Sequence, residues 1–88
     1  MIVKLRTEDI LELIAELRHR VPIQSRWAHY KGGTYQVTGY GLDTERGSIN
    51  IVYRRIGGHN FHPVLEALVR YHRPADEWTP ERFKEIAR

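Results

Sequence analysis

Residues 26–55 read RWAHYKGGTYQVTGYGLDTERGSINIVYRR, and their spacing decides the fold. Apolar and polar side chains alternate with a period of two, and glycines and polar clusters interrupt the alternation where turns belong. The pattern predicts three consecutive strands, Trp27–Tyr30, Thr34–Leu42 and Ser48–Arg55. Lys31-Gly32-Gly33 is a tight turn between the first two, and Asp43-Thr44-Glu45-Arg46-Gly47 a polar turn between the second and third. Tyr35 and Val37 share a face of the second strand, which Gly39 and Gly41 then interrupt. Glycine weakens a regular strand but suits a bulge, so these two let the strand coil as a small barrel requires. In the third strand Ile49, Ile51 and Tyr53 alternate with Asn50, Val52 and Arg54.

Upstream, Ile10, Leu13, Ile14 and Leu17 recur at helical spacing behind Thr7 as a cap, with Glu8 and Asp9 at the positive end of the dipole. Pro22 closes this helix. Arg18-His19-Arg20 stands in its last turn, as a dipole partner or as a binding cluster. Downstream, Gly57-Gly58 ends the sheet segment, a fourth strand is a candidate over His59–His62, and a short helix is expected from Pro63. Thr79-Pro80-Glu81 reads as a further helix start, with Phe83, Ile86 and Ala87 as its buried face. No repeat or linker divides the chain, so one α+β domain is expected over residues 1–88: an N-terminal helix, a curved antiparallel sheet of three to five strands, and short C-terminal helices.

With 88 residues there is room for one modest core. Without a cysteine there is no disulfide, thiolate metal site or cysteine nucleophile. The opening Met1–Arg6 is too short and too charged for a signal peptide, and no apolar run approaches the roughly 20 residues of a membrane span, so a cytoplasmic protein is expected. Net charge is +3, but its distribution is uneven: residues 1–17 carry two bases and four acids, whereas residues 18–63 carry seven bases and two acids. An anion-binding surface belongs to that middle segment.

The hydroxyl residues sit in turn, cap or strand contexts without the histidine and acid that nucleophilic catalysis needs, and no cofactor motif is present. His59-x-x-His62 with His29 or His72 is a weak zinc pattern; ordinary loop histidines explain it as well. Recognition is better supplied. Trp27, Tyr30, Tyr35, Tyr40 and Tyr53, with His29 beside them, interleave with Arg26, Lys31, Arg46, Arg54 and Arg55, which combines stacking planes with forked cations. Half or more of the rings are needed to fill the core, chiefly Tyr35, Tyr53 and one of Trp27 or Tyr30. Arg54 and Arg55 point to opposite faces of their strand. The candidate ligand-binding residues are therefore Arg26, Trp27, His29, Tyr30, Lys31, Tyr40, Arg46, Arg54 and Arg55.

The stretch His29-Tyr30-Lys31-Gly32-Gly33-Thr34-Tyr35-Gln36-Val37-Thr38-Gly39, followed by Ile51-Val52-Tyr53-Arg54, resembles a small, functionally uncharacterised β-barrel domain family of bacteria and their phages. Its pattern is HYKGG-x-Y-x-V-x-G, then V-V-Y-R, then aromatic-x-R-P. Phe61-His62-Pro63 takes the third place with the smaller gap, although it lacks the arginine; Tyr71-His72-Arg73-Pro74 has the arginine but lies further along. The resemblance covers roughly residues 26–69 and implies an SH3-like, partly open barrel, with the N-terminal helix outside the usual domain. It supplies no mechanism. The expected function is non-enzymatic binding of an anionic ligand, either a nucleotide-type small molecule, as in a phage sponge for a host nucleotide signal, or a nucleic-acid strand. The competing expectation is a protein–protein interaction module or inhibitor docking on a larger complex, with a host protein as partner. A homo-oligomer without membrane contact is expected in the first case.

Overall fold

The computed structural model describes residues 6–86 and has the element order α1 (Thr7–Arg20), β1 (Arg26–His29), β2 (Thr34–Asp43), β3 (Ser48–Gly57), α2 (Pro63–Leu68), β4 (Tyr71–Pro74), a one-turn 3-10 helix (Ala75–Glu77) and β5 (Phe83–Glu85). The five strands form one antiparallel sheet in the order β4-β3-β2-β1-β5. An α+β fold with an N-terminal helix and three central strands is thus as expected. Among the described residues no helix is long and apolar enough to cross a membrane.

The β2–β3 ladder contains the expected irregularity. Val37 pairs with Tyr53, the next pair is Gly39 with Val52, and Thr38 is the extra residue. One extra residue resets the alternation, so Tyr40 joins Tyr35 and Val37 in packing against the core. The core lies on the face that carries Val37, Ile49, Ile51 and Tyr53, where Val21 and Leu17 from the end of α1 close one side. Trp78 stacks on Phe83 with ring centres 3.8 Å apart and planes 4° apart, and meets Trp27 and Tyr53 edge-on.

Three local expectations are corrected. The helix-entry residue is Arg6, with no side-chain cap, and Thr7 is already helical; Glu8 and Asp9 in the first turn supply the favourable charge instead. His59–His62 is turn and coil rather than a strand, and His62 caps α2 by accepting the Leu65 amide on Nδ1 at 3.2 Å. No helix follows Thr79: a single turn closes with the Arg82 and Phe83 amides donating to the Thr79 carbonyl at 3.0 and 2.9 Å, and the chain then extends as β5 along β1. Helix-start chemistry is a weak prior, and burial of Phe83 against Trp78 overrides it. Ile86 is exposed and Ala87 lies outside the described residues.

The two glycine pairs meet. A Cβ on Gly58, whose φ is +111°, falls 2.6 Å from the Gly33 Cα, whereas a Cβ on Gly39 has open space and an ordinary φ. Gly58→Ala is therefore expected to destabilise the fold by roughly 2–4 kcal/mol, through strain and backbone overlap together. Gly39→Ala should change stability by less than about 1 kcal/mol, and urea unfolding of the two variants checks the difference.

Candidate functional site

The pleat divides the candidate residues between two faces of the sheet. Arg26, Gln36 and Arg54 are directly opposed across β1, β2 and β3 and lie on the face away from the core. Arg54 donates from Nε and Nη2 to the Gln36 side-chain oxygen at 3.1 and 2.9 Å, and Gln36 donates in turn to the Gln24 carbonyl at 3.3 Å. Arg55 points the other way. Its guanidinium donates to the Gly57 carbonyl at 3.2 Å and to the His59 carbonyl, and its strand partner is Tyr35.

On the core face, the end of the sheet nearest the Lys31-Gly32-Gly33 turn gathers half-buried rings and cations. His29, opposite Phe83 in the β1–β5 ladder, meets Phe83 at 4.8 Å, Tyr35 at 6.4 Å and Tyr30 at 4.7 Å between ring centres. Tyr35 meets Tyr71 edge-on at 6.0 Å. The Arg73 guanidinium lies over the Phe83 ring at 5.4 Å, and the Lys31 ammonium lies 5.6 Å from the exposed Tyr30 ring. Glu77 joins Arg82 at 3.0 Å and Arg73 at 3.7 Å. Glu66 is buried on α2, and its carboxylate accepts from the Tyr71 hydroxyl at 2.8 and 3.1 Å. Lys31, Arg55, Arg73 and Arg82 thus face two carboxylates, Glu66 and Glu77, and the Nε of Arg73 is a buried donor without a protein partner.

The same neighbourhood shifts the ionisation of its groups. Burial first, then Arg73, Lys31 and Arg82, hold the His29 imidazole below its ordinary value. Its Nδ1 accepts the Lys31 amide at 3.2 Å, which leaves the proton of the neutral ring on Nε2. The Tyr71 phenol is held up by its hydrogen bond to Glu66 and then by burial, and burial raises Tyr35. Tyr35, Tyr71, Arg73 and Arg82 belong to this cluster although sequence reasoning kept Tyr35 for the core and passed over the others. Tyr71-His72-Arg73-Pro74, not Phe61-His62-Pro63, is the stretch that pairs with β3, and strand alternation from Tyr71 to Arg73 would have put both on one face.

The remaining candidates have other places. Trp27 is buried, with its indole N–H donating to Ser25 Oγ at 2.7 Å. The Tyr40 hydroxyl donates to the Val21 carbonyl at 2.7 Å and ties β2 to the end of α1. Arg46 is exposed in the β2–β3 turn, where the Asp43 carboxylate accepts its backbone amide at 3.1 Å. From the basic cluster at the end of α1, Arg20 donates to the Trp78 carbonyl at 3.0 Å, a structural anchor. The described residues contain no group of three or more His, Asp or Glu able to hold a metal ion.

The chain belongs to the family described as a protein of unknown function, DUF1653, whose model matches residues 25–85. The match begins where the chain enters β1 and ends with β5, so it takes in the whole sheet and leaves α1 outside. No curated protein and no solved structure matches.

Two titrations check the cluster. Because the folded chain favours neutral His29, its stability is full above the ordinary value of 6.5 and declines as pH falls below it. His29→Gln should flatten that acid-side decline in urea midpoints measured against pH. Glu66→Gln removes the carboxylate that holds the Tyr71 proton, so in the spectroscopic tyrosinate titration the Tyr71 step should move down toward the ordinary tyrosine range.

Proposed function

We propose that this protein is a non-enzymatic binding protein for a nucleotide-type anion, held on the core-side rim formed by His29, Lys31, Tyr35, Tyr71 and Arg73. The observation that carries it is the coincidence there of half-buried rings with cations that outnumber the carboxylates. A base has Tyr35 and Tyr71 for stacking, at on the order of 1–3 kcal/mol per base, and a phosphate has the Lys31 ammonium and the Arg73 guanidinium. A single nucleotide suits the rim better than a strand, since the rings form one cluster and no line of stacking platforms continues along the sheet. We read the sheet as an SH3-like, partly open barrel. In support, β5 returns beside β1, and the short stretch from β4 to β5, with the 3-10 helix Ala75–Glu77 and the turn at Thr79, joins the two edge strands of the sheet. The reading keeps the protein in the cytoplasm, where nucleotides are abundant, and sequestration is a role that needs no catalytic group.

Calorimetry against a panel of mono-, di- and cyclic nucleotides is the test, preceded by native mass spectrometry of the purified protein for bound mass. Lys31→Ala and Arg73→Gln should each weaken binding about tenfold or more, the loss expected for a charge-assisted hydrogen bond. Arg54→Ala, on the opposite face, should leave affinity within about twofold. Wild-type affinity in both rim variants, or no binding to any member of the panel by the wild-type protein, overturns the reading.

A further inference from the structure

The face of the sheet opposite the core carries a second basic feature that the nucleotide reading does not use. Arg26 and Arg54 flank Gln36 in one cross-strand row, and Arg70, just before β4, stands with Arg54 at the edge of a depression of about 430 Å³. No carboxylate lines that depression, and Ile23 at its side is 49% exposed. Arg26 and Arg54 are two strand spacings apart, roughly 10 Å.

The complementary feature is on α1. Glu8, Glu12 and Glu16 recur every fourth residue, so they form one stripe about 12 Å long on the helix surface. All three are exposed. Like charges at this spacing repel, and the single relief is the contact of Glu16 with Arg20 at 3.9 Å; Glu8, Asp9 and Glu12 meet no cation among the described residues. Leu11, 62% exposed, flanks the stripe. Within one chain the two features stay apart, because α1 lies along the core side, where Leu13 and Leu17 face Ile49 and Ala75.

We infer that a second copy of this chain covers the arginine row, with the acidic stripe of its α1 laid across Arg26, Arg54 and Arg70 and its Leu11 entering the depression beside Ile23. The stripe and the row have matching lengths and opposite charge, and each carries repulsion that the contact relieves. Reciprocal engagement closes a two-fold dimer. Since α1 lies outside the segment matched by the family, the self-association belongs to what this chain adds to the shared sheet.

Sedimentation velocity tests this with charge-reversed variants at positions outside the core; circular dichroism checks their folding. Wild type should be a dimer at about 50 mM salt, with its dissociation constant weakened about tenfold or more at about 500 mM, since exposed pairs are screened. Glu8→Lys with Glu12→Lys should be monomeric alone, as should Arg26→Glu with Arg54→Glu. A one-to-one mixture of these two variants restores both attractions and should form a heterodimer. A wild-type protein that stays monomeric at low salt overturns the inference, and so does a mixture of two folded variants that fails to associate. A wild-type dimer unchanged by either reversal assigns the interface elsewhere and also overturns it.

Discussion

The stacked pair of Trp78 and Phe83 is the contact on which the rest of the architecture depends. It lies where the chain leaves β4, and it faces Trp27 of β1 and Tyr53 of β3 at once. By burying Phe83 it holds the last described strand along β1, which otherwise presents unpaired backbone at the sheet edge. The same ring supports the cation of Arg73 and the imidazole of His29. Core and rim are therefore continuous: the rings that stabilise the sheet on its inner side become, one residue pair further along, the half-buried rings of the candidate site.

What was legible in the sequence is what depends on period and on turns. The hairpins around Gly32-Gly33 and Asp43–Gly47, the irregularity near Gly39, the proline-started helix at Pro63 and the end of α1 at Pro22 all follow from local chemistry that packing leaves alone. The failures have one physical cause. Thr79-Pro80-Glu81 has sound helix-start residues, but a helix there would take Phe83 off Trp78 and leave the outer edge of β1 unpaired, a loss larger than any cap supplies. Tyr71 to Pro74 is too short for its alternation to stand out, and its strand identity comes from pairing with β3.

The candidate site was legible in residue types and less so in grouping. Trp27 and Tyr40 look like recognition residues in a basic segment, yet one fills the core and the other fastens α1 through the Val21 carbonyl. Arg73 and Arg82, which complete the positive field around His29, come from a C-terminal third with balanced charge and were invisible to a count along the chain. Contacts between β1, β4 and β5 bring them together, and spacing within one strand does not encode those contacts.

Consecutive arginines show how the pleat turns a linear excess of charge into two separate fields. Arg54 and Arg55 are neighbours in the chain, but one is oriented by Gln36 on the outer face and the other by the Gly57 carbonyl beside Tyr35 on the inner. A strand cannot place both on one surface without a bulge between them, and the two register shifts of the β2–β3 ladder fall elsewhere, at Thr38 of β2 and at Ile56 of β3. The excess of positive charge in residues 18–63 is therefore divided between the two faces. The inner field lies among the rings of His29, Tyr35 and Tyr71, whereas the outer field is the row of Arg26 and Arg54 about Gln36. The proposed ligand site and the inferred contact with a second copy each draw on one of these two fields.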